Sequence, residues 1–462
     1  MKTFLRVLAG LALLLVIGVA AFAAYAWRSE IDPVDPPAQA GLDPALVARG
    51  SDLAAIGNCN VCHTAPGGET FAGGLGIPTP FGTIYSTNIT PDPETGIGRW
   101  SEAAFLRSMR EGVDREGRHL YPAFPYDHYT LVTDEDNRAL YAFLMSRKHV
   151  RAQAPENELP FPLNMRMLLA GWKALYFREG AFQPDPNRSA EWNRGRYLTE
   201  GLSHCGACHT PRNRFGAEQR ELHLAGAEVE NWTAYAINAA SPAPIPWNAE
   251  SLAFYLRHGW HQEHGVSRGP MAPVTANLGS VPEEDARAIA TYLADLMGEP
   301  NQERQTRADA ARAAIREEGG APRPVQAGAS GSGIGEAIYV SACEGCHDGR
   351  RPLPFGGLNL HLSTAVNGPN PQNIINVVLF GLPGAKGEPS AMMPAYRGVL
   401  NEDQLVALLD YMRERFSDLP AWTDTRERVA QTMGGERKVT VYRMDGTTQA
   451  PPESSMRTTP WP

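Results

Sequence analysis

Cysteine is scarce in this sequence, and none is left over once three short stretches are counted. The 462 residues include six cysteines, which form three C-x-x-C-H stretches at 59–63, 205–209 and 343–347. No thiol remains for an iron–sulfur cluster, and a disulfide network would not repeat a histidine at one fixed offset. A glycine-rich dinucleotide fingerprint after a strand is also missing. We therefore expect this chain to carry no dinucleotide or iron–sulfur cofactor.

Basic charge and long apolar runs are also in short supply. The net charge of −9 argues against a nucleic-acid partner. Only the run 7–27 is apolar and long enough to span a bilayer, and basic residues precede it, as is typical of a cytoplasmic end. We expect residues 1–29 to be a signal anchor, or a signal peptide cleaved after Ala23 or Ala26. Both interpretations place the rest of the chain on the periplasmic side of the bacterial cytoplasmic membrane.

What the sequence does contain is the attachment signature of a c-type haem, and it occurs three times. In C-x-x-C-H the two thiols bond to the haem vinyl groups, and the following histidine binds the iron. The cysteines are one helical turn apart, so the histidine points back at the metal between them. We predict three covalently bound haem c groups, with the thioether residues Cys59, Cys62, Cys205, Cys208, Cys343 and Cys346 and the iron ligands His63, His209 and His347.

The same pair of helical patterns surrounds each motif. A helix with a glycine eight to ten residues before the first cysteine precedes the motif. An amphipathic helix that begins with acidic residues follows it, at 134–147, 282–297 and 401–416. A glycine on the first helix permits close approach of another helix. An N-terminal helix that crosses a C-terminal helix beside the haem is the plan of a class I cytochrome c.

We therefore predict an all-α chain of three tandem class I cytochrome c domains after one N-terminal membrane-spanning or signal helix. The connector 151–186 is expected to enclose a short packed helix at 164–177, and 301–332 to be a flexible tether. The tail has a strand-like piece at 438–443 and is otherwise expected to be loosely wrapped or disordered. The predicted boundaries are 1–29 for the N-terminal helix, 42–150, 187–300 and 332–420 for domains 1, 2 and 3, and 421–462 for the tail.

Methionines between each motif and its closing helix are the candidate sixth ligands of the iron. A thioether in that place makes the haem a one-electron relay. Met271 in domain 2 and Met393 in domain 3 hold the matching position, each beside a proline. The competing interpretation is core packing, since methionine commonly fills apolar gaps. In domain 3, Met392 is a second candidate.

Domain 1 departs from this arrangement. Phe124 occupies the matching position, and phenylalanine cannot bind iron. Met109 and His128 are candidate sixth ligands of haem 1, although Met109 lies on a predicted helix where domain 2 has Leu256, and packing at the haem edge explains it equally well. His119 also flanks the loop. An open or water-ligated iron is the remaining possibility.

Beyond the motifs, three segments resemble the triheme cytochrome c subunits of membrane-bound dehydrogenases. They read Gly-Gly at 73–74, Pro-Phe-Gly-Thr-Ile-Tyr-Ser-Thr-Asn-Ile-Thr-Pro-Asp at 80–92 and Gly-Ile-Gly-Arg-Trp at 96–100, and the likeness covers about 42–416. Members of this family accompany quinoprotein alcohol dehydrogenases, flavin-dependent gluconate-type dehydrogenases, and periplasmic molybdenum hydroxylases that oxidise aldehydes or N-heterocycles. The loop Phe-Pro-Tyr-Asp-His at 124–128 is similar to the molybdenum hydroxylase branch, whereas alcohol dehydrogenase subunits have methionine in place of Phe124.

The resemblance implies a triheme c-type cytochrome subunit that passes electrons from a catalytic dehydrogenase subunit to quinone or to a downstream cytochrome. Oxidation of the organic substrate then belongs to a separate chain. The alternative hypothesis is a haem enzyme with an open, peroxidase-like site in domain 1, where His119, His128 and Glu111 serve as acid–base groups. A third hypothesis is a soluble electron shuttle, which requires cleavage of the N-terminal helix and release from the membrane.

Overall fold

The chain consists of two compact units, seen in a computed structural model that describes residues 1–317, 332–348, 352–385 and 390–449. The first unit comprises Met1–Pro184 with Glu200–His204, and the second Asp185–Thr199 with Cys205–Pro462. The first C-x-x-C-H motif lies in the first unit, and the other two lie in the second. Residues 318–331 of the predicted tether and 450–462 of the predicted tail lie outside the described residues. The expectation of a flexible tether was wrong for its first part, because Gln302–Glu317 is a helix whose Ala308 is fully buried.

Helices dominate the first unit. Short 3-10 turns at Gln39–Gly41 and Arg166–Leu168 supplement them. The elements are, along the chain, α1 (Lys2–Ala26), α2 (Pro44–Ile56), α3 (Cys59–Cys62), β1 (Gly76–Thr79), β2 (Gly82–Tyr85), α4 (Glu102–Glu111), α5 (Tyr126–Tyr129), α6 (Asp134–Met145) and α7 (Leu169–Tyr176).

The second unit is also mainly helical. A π-helical turn, Leu198–Leu202, follows its first helix in the chain, and the last three residues of this turn belong to the first unit. Turns of 3-10 helix occur at Arg220–Leu222 and Leu360–Leu362. The elements are α8 (Ala190–Tyr197), α9 (Gly206–His209), β3 (Ala227–Val229), β4 (Trp232–Ala234), α10 (Ala249–His258), β5 (Trp260–His261), β6 (Gly265–Val266), α11 (Met271–Gly279), α12 (Glu283–Met297), α13 (Gln302–Glu317), α14 (Ser332–Ala342), α15 (Glu344–His347), α16 (Gln372–Phe380), α17 (Glu402–Phe416), α18 (Thr425–Met433), β7 (Val441–Tyr442) and β8 (Thr448–Gln449).

The all-α prediction is correct for the helices but omitted most of the strands. The described part of the chain contains four small antiparallel ladders, and only the last overlaps the predicted strand-like piece at 438–443. Each ladder pairs two neighbouring strands, β1 with β2, β3 with β4, β5 with β6 and β7 with β8. In the first, Gly76 pairs with Tyr85 and Thr79 with Gly82. The strands are two to four residues long, which is too short for an alternating pattern to appear in the sequence.

Side-chain caps define where the main helices begin. Asp43 accepts a hydrogen bond from the Ala45 N–H, and Pro44 opens α2, where its missing N–H costs nothing. Thr133 and Ser189 cap α6 and α8 in the same way. A capping box at Asn401 starts α17. Acidic residues in the first turns of α6, α12 and α17 interact favourably with the positive ends of the helix dipoles and so stabilise these helices.

The predicted helix crossings are confirmed, and a glycine lies at the closest point of each. α2 packs on α6, α8 on α12 and α14 on α17. A Cβ added at Gly50 would lie 2.0 Å from the carbonyl oxygen of Ala139. A Cβ added at Gly195 would lie 1.9 Å from the carbonyl oxygen of Ala288, and one added at Gly335 would lie 2.1 Å from that of Ala407. Any side chain at these positions would force the two helix backbones apart.

The tail is more ordered than the sequence predicted. Thr425–Met433 forms the helix α18, and Trp422 and Val429 lie in the same core as the buried residues of α16 and α17. The expectation of a loosely wrapped tail was therefore wrong for this part of the chain. The prediction failed because two buried apolar residues, Trp422 and Val429, attach this mostly polar segment to the core. The strand-like piece is confirmed in part, as β7 pairs with β8.

Replacing Gly195 tests the crossing of α8 and α12. We expect Gly195→Ala to destabilise the chain by about 1–3 kcal/mol, the usual cost of overpacking, because the added methyl meets a backbone carbonyl. Gly180→Ala is the matched control, since a Cβ there has no atom within 4 Å, and it should leave stability unchanged or slightly higher. Urea unfolding followed by circular dichroism measures both. Equal midpoints for Gly195→Ala and the parent chain would contradict the close crossing.

Candidate haem sites

Each C-x-x-C-H stretch adopts one short helical turn, as the spacing predicts. α3, α9 and α15 each cover four of the five residues of a motif. In all three, the backbone N–H of the histidine donates to the carbonyl of the first cysteine at 3.0 Å, in the pairs His63 with Cys59, His209 with Cys205 and His347 with Cys343. None of the six cysteines forms a disulfide. Both thiols of each motif are thus available for thioether bonds on one helical turn.

The histidine ring is held in the same way in each motif. Nδ1 of His63 lies 2.6 Å from the Thr87 carbonyl oxygen, Nδ1 of His209 lies 2.6 Å from that of Tyr235, and Nδ1 of His347 lies 2.7 Å from that of Leu358. A carbonyl oxygen can only accept, so Nδ1 carries the proton and Nε2 keeps its lone pair. This is the arrangement that metal-binding histidines use, with the second nitrogen fixed by a backbone or carboxylate partner.

Burial sets the protonation of these groups. It lowers the pKa of the three motif histidines, and the bond to the carbonyl opposes this in part. Burial also raises the pKa of the Cys59 thiol to about 12 and that of Cys343 to about 11. A redox dithiol needs a lowered thiol pKa. The raised pKa values of the Cys59 and Cys343 thiols therefore do not favour redox dithiol chemistry, and the lowered pKa values of the three histidines favour neutral imidazoles, the form that binds metal.

Two hairpins and two glycines place the carbonyl acceptors in the first and second motifs. Thr87 follows β2 and Tyr235 follows β4. Gly73 donates its N–H to the His63 carbonyl at 2.8 Å, and Gly226 donates to the His209 carbonyl at 2.7 Å. Their φ angles are 73° and 90°, which glycine adopts without strain. Each histidine is thus held by its backbone and by its ring.

In the second unit, the two acceptor residues link the second motif to the third. Tyr235, which holds His209, packs its ring against the core formed by α14, α16 and α17. Leu358, which holds His347, packs in the cluster of Val266, on β6. Each acceptor therefore contacts the region that contains the other motif. Hydrogen bonds between Thr233 of β4 and Asn373 of α16, at 2.8 and 2.9 Å, reinforce this contact.

The structure distinguishes the two methionines that compete as ligand candidates in the predicted domain 3. The Met392 side chain is 78% exposed. Met393 is half-buried, packs against the core of α14, α16 and α17, and pairs its backbone with Leu382 in both directions at 2.9 and 3.0 Å. In domain 2, Met271 is the first residue of α11 and is half-buried.

The predicted ligand candidates of haem 1 have different surroundings. Met109 is 5% exposed on α4, as is Leu256 on α10. His128 is buried on α5, with Nδ1 2.6 Å from the Glu200 carbonyl oxygen. His119 is 2.8 Å from the Ala26 carbonyl through Nε2 and 3.1 Å from Lys173 Nζ through Nδ1. Both nitrogens of His119 are therefore occupied, and it is not available as an iron ligand.

Phe124 packs beside the first motif through Tyr129. Its ring is 5.2 Å from that of Tyr129, whose hydroxyl donates to the Gly57 carbonyl at 3.5 Å. The residues that sequence reasoning missed are Thr87, Tyr235 and Leu358. They act through backbone carbonyls, which any residue type supplies, so no side-chain signal marks them.

Truncating Tyr235 tests whether its carbonyl tunes the haem predicted at the second motif. We expect Tyr235→Ala to loosen the bond to His209, make the imidazole less basic and raise the reduction potential, by roughly 60 mV for each tenfold change in the relative stability of the two oxidation states. Tyr235→Phe keeps the ring and should behave like the parent chain. Ile375→Ala, which removes a fully buried side chain from the core that Tyr235 packs against, is the control for general destabilisation. Equal potential shifts in Tyr235→Ala and Ile375→Ala would argue against the specific contact.

Two family models match the chain. Residues 47–148 match the cytochrome c model, and residues 333–412 match the model described as cytochrome c oxidase, cbb3-type, subunit III. The two matches cover the first and third motifs. They show that the chain contains cytochrome c domains, which bind haem c covalently.

Curated relatives extend the similarity over most of the chain. The chain is 48% identical to a nicotinate dehydrogenase subunit of Pseudomonas putida, over 88% of this chain and 33% of that protein. The chain therefore spans about a third of that relative's length. It is 36% identical to the gluconate 2-dehydrogenase cytochrome c subunit of Pantoea cypripedii, over 90% of this chain and 93% of that protein. For the fructose dehydrogenase cytochrome subunit of Gluconobacter japonicus the identity is 33%, over 89% and 87%. The chain belongs to the family of cytochrome c subunits of dehydrogenase complexes.

Proposed function

We propose that the chain is a triheme c-type cytochrome subunit that passes electrons from a periplasmic dehydrogenase to quinone or to a downstream cytochrome. The observation that supports three haem groups is the Nδ1–carbonyl hydrogen bond of 2.6 to 2.7 Å, which is repeated at every C-x-x-C-H histidine. The second motif, which neither family model covers, has the same geometry as the other two. When bound, each haem supplies one-electron redox chemistry.

The residues divide this work between them. The six motif cysteines would hold the porphyrins covalently, and His63, His209 and His347 would bind the three irons through Nε2. Met271 and Met393 are the proposed sixth ligands of haems 2 and 3. The burial of Met393 and the exposure of Met392 support this choice in domain 3.

The proposed catalytic partner is a molybdenum hydroxylase that oxidises an N-heterocycle or an aldehyde. Similarity to a nicotinate dehydrogenase subunit supports this choice, since nicotinate is an N-heterocyclic acid. The sequence Phe-Pro-Tyr-Asp-His at 124–128 supports the same branch. The other possible partner is a quinoprotein alcohol dehydrogenase, whose cytochrome subunits resemble Pro-Ala-Met-Pro-Tyr at this loop.

We also propose that α1 remains on the mature chain and anchors it to the membrane. The helix Lys2–Ala26 has a mean hydropathy of 2.7 over its most apolar window, and that window is fully exposed. The bond from His119 to the Ala26 carbonyl ties its last turn to domain 1. Cleavage after Ala23 or Ala26 would remove this bond. An anchored chain does not suit a soluble shuttle.

The peroxidase-like alternative loses one of its groups. A distal acid–base histidine needs a ring nitrogen that faces the substrate, and both nitrogens of His119 are engaged by Ala26 and Lys173. His119 therefore acts in the attachment of α1 rather than in catalysis. The low-spin or high-spin state of haem 1 remains the direct test of an open site.

Purification of the native membrane complex tests the proposed function. We expect three haem c groups per chain by the pyridine haemochrome assay, and molybdenum rather than pyrroloquinoline quinone in the co-purifying material. Pyrroloquinoline quinone would assign the chain to the alcohol dehydrogenase branch instead. Replacing both cysteines of one motif by alanine should lower the haem count by one in each case. A parent chain with only two haems would disprove the triheme assignment.

Substitutions at Met109 and Phe124 test the coordination of haem 1. We expect Met109→Leu to leave the haem spectra unchanged, because Leu256 already occupies the equivalent buried position on α10. Phe124→Met should add a methionine-ligated haem, seen as an increase in the long-wavelength charge-transfer band of the oxidised protein. Loss of a low-spin signal in Met109→Leu would instead identify Met109 as the ligand.

A further inference from the structure

Exposed apolar side chains are concentrated in the connector segment 161–177, which we call the collar. Outside the N-terminal helix, exposed large apolar residues in the described chain are mostly isolated, which is usual for a protein surface. The collar is different, because six such residues occur within fifteen positions. They are Phe161 (79% exposed), Leu175 (68%), Met165 (46%), Met167 (45%), Leu163 (42%) and Leu168 (41%).

The exposed face of the collar carries no charge. The segment contains two basic side chains, Arg166 and Lys173, and no acidic residue. Arg166 turns inward, over the Tyr121 ring at 4.7 Å and onto the His119 carbonyl at 3.1 Å. Lys173 is buried and donates to the carbonyls of Glu111 and Gly112 at 2.6 and 2.7 Å. What faces outward is therefore apolar or uncharged, and the predicted packed helix at 164–177 packs only through a few of its residues.

The collar is continuous with the helix that is long enough to span a membrane. α1 contacts both α7 and the 3-10 turn Arg166–Leu168. A Cβ at Gly171 would lie 3.6 Å from the Phe22 ring of α1. The apolar surface of α1 therefore passes directly into that of the collar. This continuity favours lipid rather than a partner protein as what covers the collar, because the collar lies directly beside the end of a helix that is long enough to span a membrane.

Hydrogen bonds hold the end of α1 rigidly against domain 1. Lys173 Nζ donates to His119 Nδ1 at 3.1 Å, so His119 carries its proton on Nε2 and donates it to the Ala26 carbonyl at 2.8 Å. Arg107 donates to the Ser29 carbonyl at 2.8 Å, and the Ile31 N–H donates to the Arg115 carbonyl at 2.9 Å. Lys173 belongs to the collar itself. The collar is thus fixed close to the point where α1 leaves the bilayer.

We propose that the collar is a second membrane contact, which lies in the interface of the leaflet where α1 emerges and fixes domain 1 on the lipid surface. Interfacial segments of this kind bury an apolar face at the boundary between headgroups and acyl chains. Trp27, which is 69% exposed, and Trp172 and Tyr176 in α7 supply the aromatic side chains that favour this depth. Arg178, exposed just after α7, is placed to meet lipid phosphate. The inference rests on the proposed anchor role of α1.

Photo-crosslinking of the full, haem-loaded chain in liposomes tests this contact. The probe is a phosphatidylcholine with a diazirine near the headgroup end of its acyl chain, and peptide mapping locates the adducts. We expect adducts in α1 and in 161–177. The double variant Phe161→Glu with Leu175→Glu should keep the α1 adducts and lose those in the collar by roughly tenfold, because carboxylates are disfavoured at this depth.

The matched control is Phe355→Glu with Val399→Glu, which changes two residues of similar exposure, 70% and 66%, in the second unit. It should leave both sets of adducts unchanged. Adducts in α1 without adducts in 161–177 would overturn the collar contact and leave the anchor standing. Adducts in 161–177 of a chain that has lost α1 would overturn the anchor and support the collar. An equal loss of collar adducts in the control variant would show that the labelling is not local, and would also overturn the proposal.

Discussion

The hydrogen bond from histidine Nδ1 to a backbone carbonyl is the interaction on which the three candidate haem sites depend. It fixes the tautomer and holds the imidazole ring, so that Nε2 keeps the lone pair with which it would bind iron. The bond is 2.6 to 2.7 Å in every motif. The carbonyls of Thr87 and Tyr235 are each placed by a hairpin and a glycine of positive φ, and the carbonyl of Leu358 lies in a loop just before a 3-10 turn. Much of the chain that is not helix thus has a definable purpose.

The second and third motifs share their supporting structure. Tyr235 and Leu358 each orient one histidine through the backbone and pack the side chain against the region of the other motif. The residue that orients each of these histidines therefore also packs in the region of the other motif. Under the proposed function, this arrangement would give the second and third haem sites a shared supporting core. In the first unit, the hydrogen bonds from Lys173 to His119 and from His119 to the Ala26 carbonyl attach the end of α1 to the rest of the unit.

Much of the fold could be predicted because the features concerned are encoded by residue type and spacing. The motifs identify the turns of α3, α9 and α15, and the glycines eight to ten residues before them mark helices that cross within van der Waals contact. Acidic first turns located α6, α12 and α17. The short hairpins and α18 could not be predicted in this way. Two to four residues are too few for a periodic pattern, and Trp422 and Val429 are isolated in a polar tail.

By itself, the sequence determined the chemistry of this protein: six thiols and three adjacent histidines, with helices before and after them and one apolar run at the N-terminus. These are properties of side chains, and side chains are what a sequence records. Only the tertiary structure decided which carbonyl orients each histidine, that Met393 rather than Met392 faces the core, and that His119 is consumed in holding α1. Backbone carbonyls are identical in every residue, and burial depends on contacts between distant segments, so neither can be read from local composition.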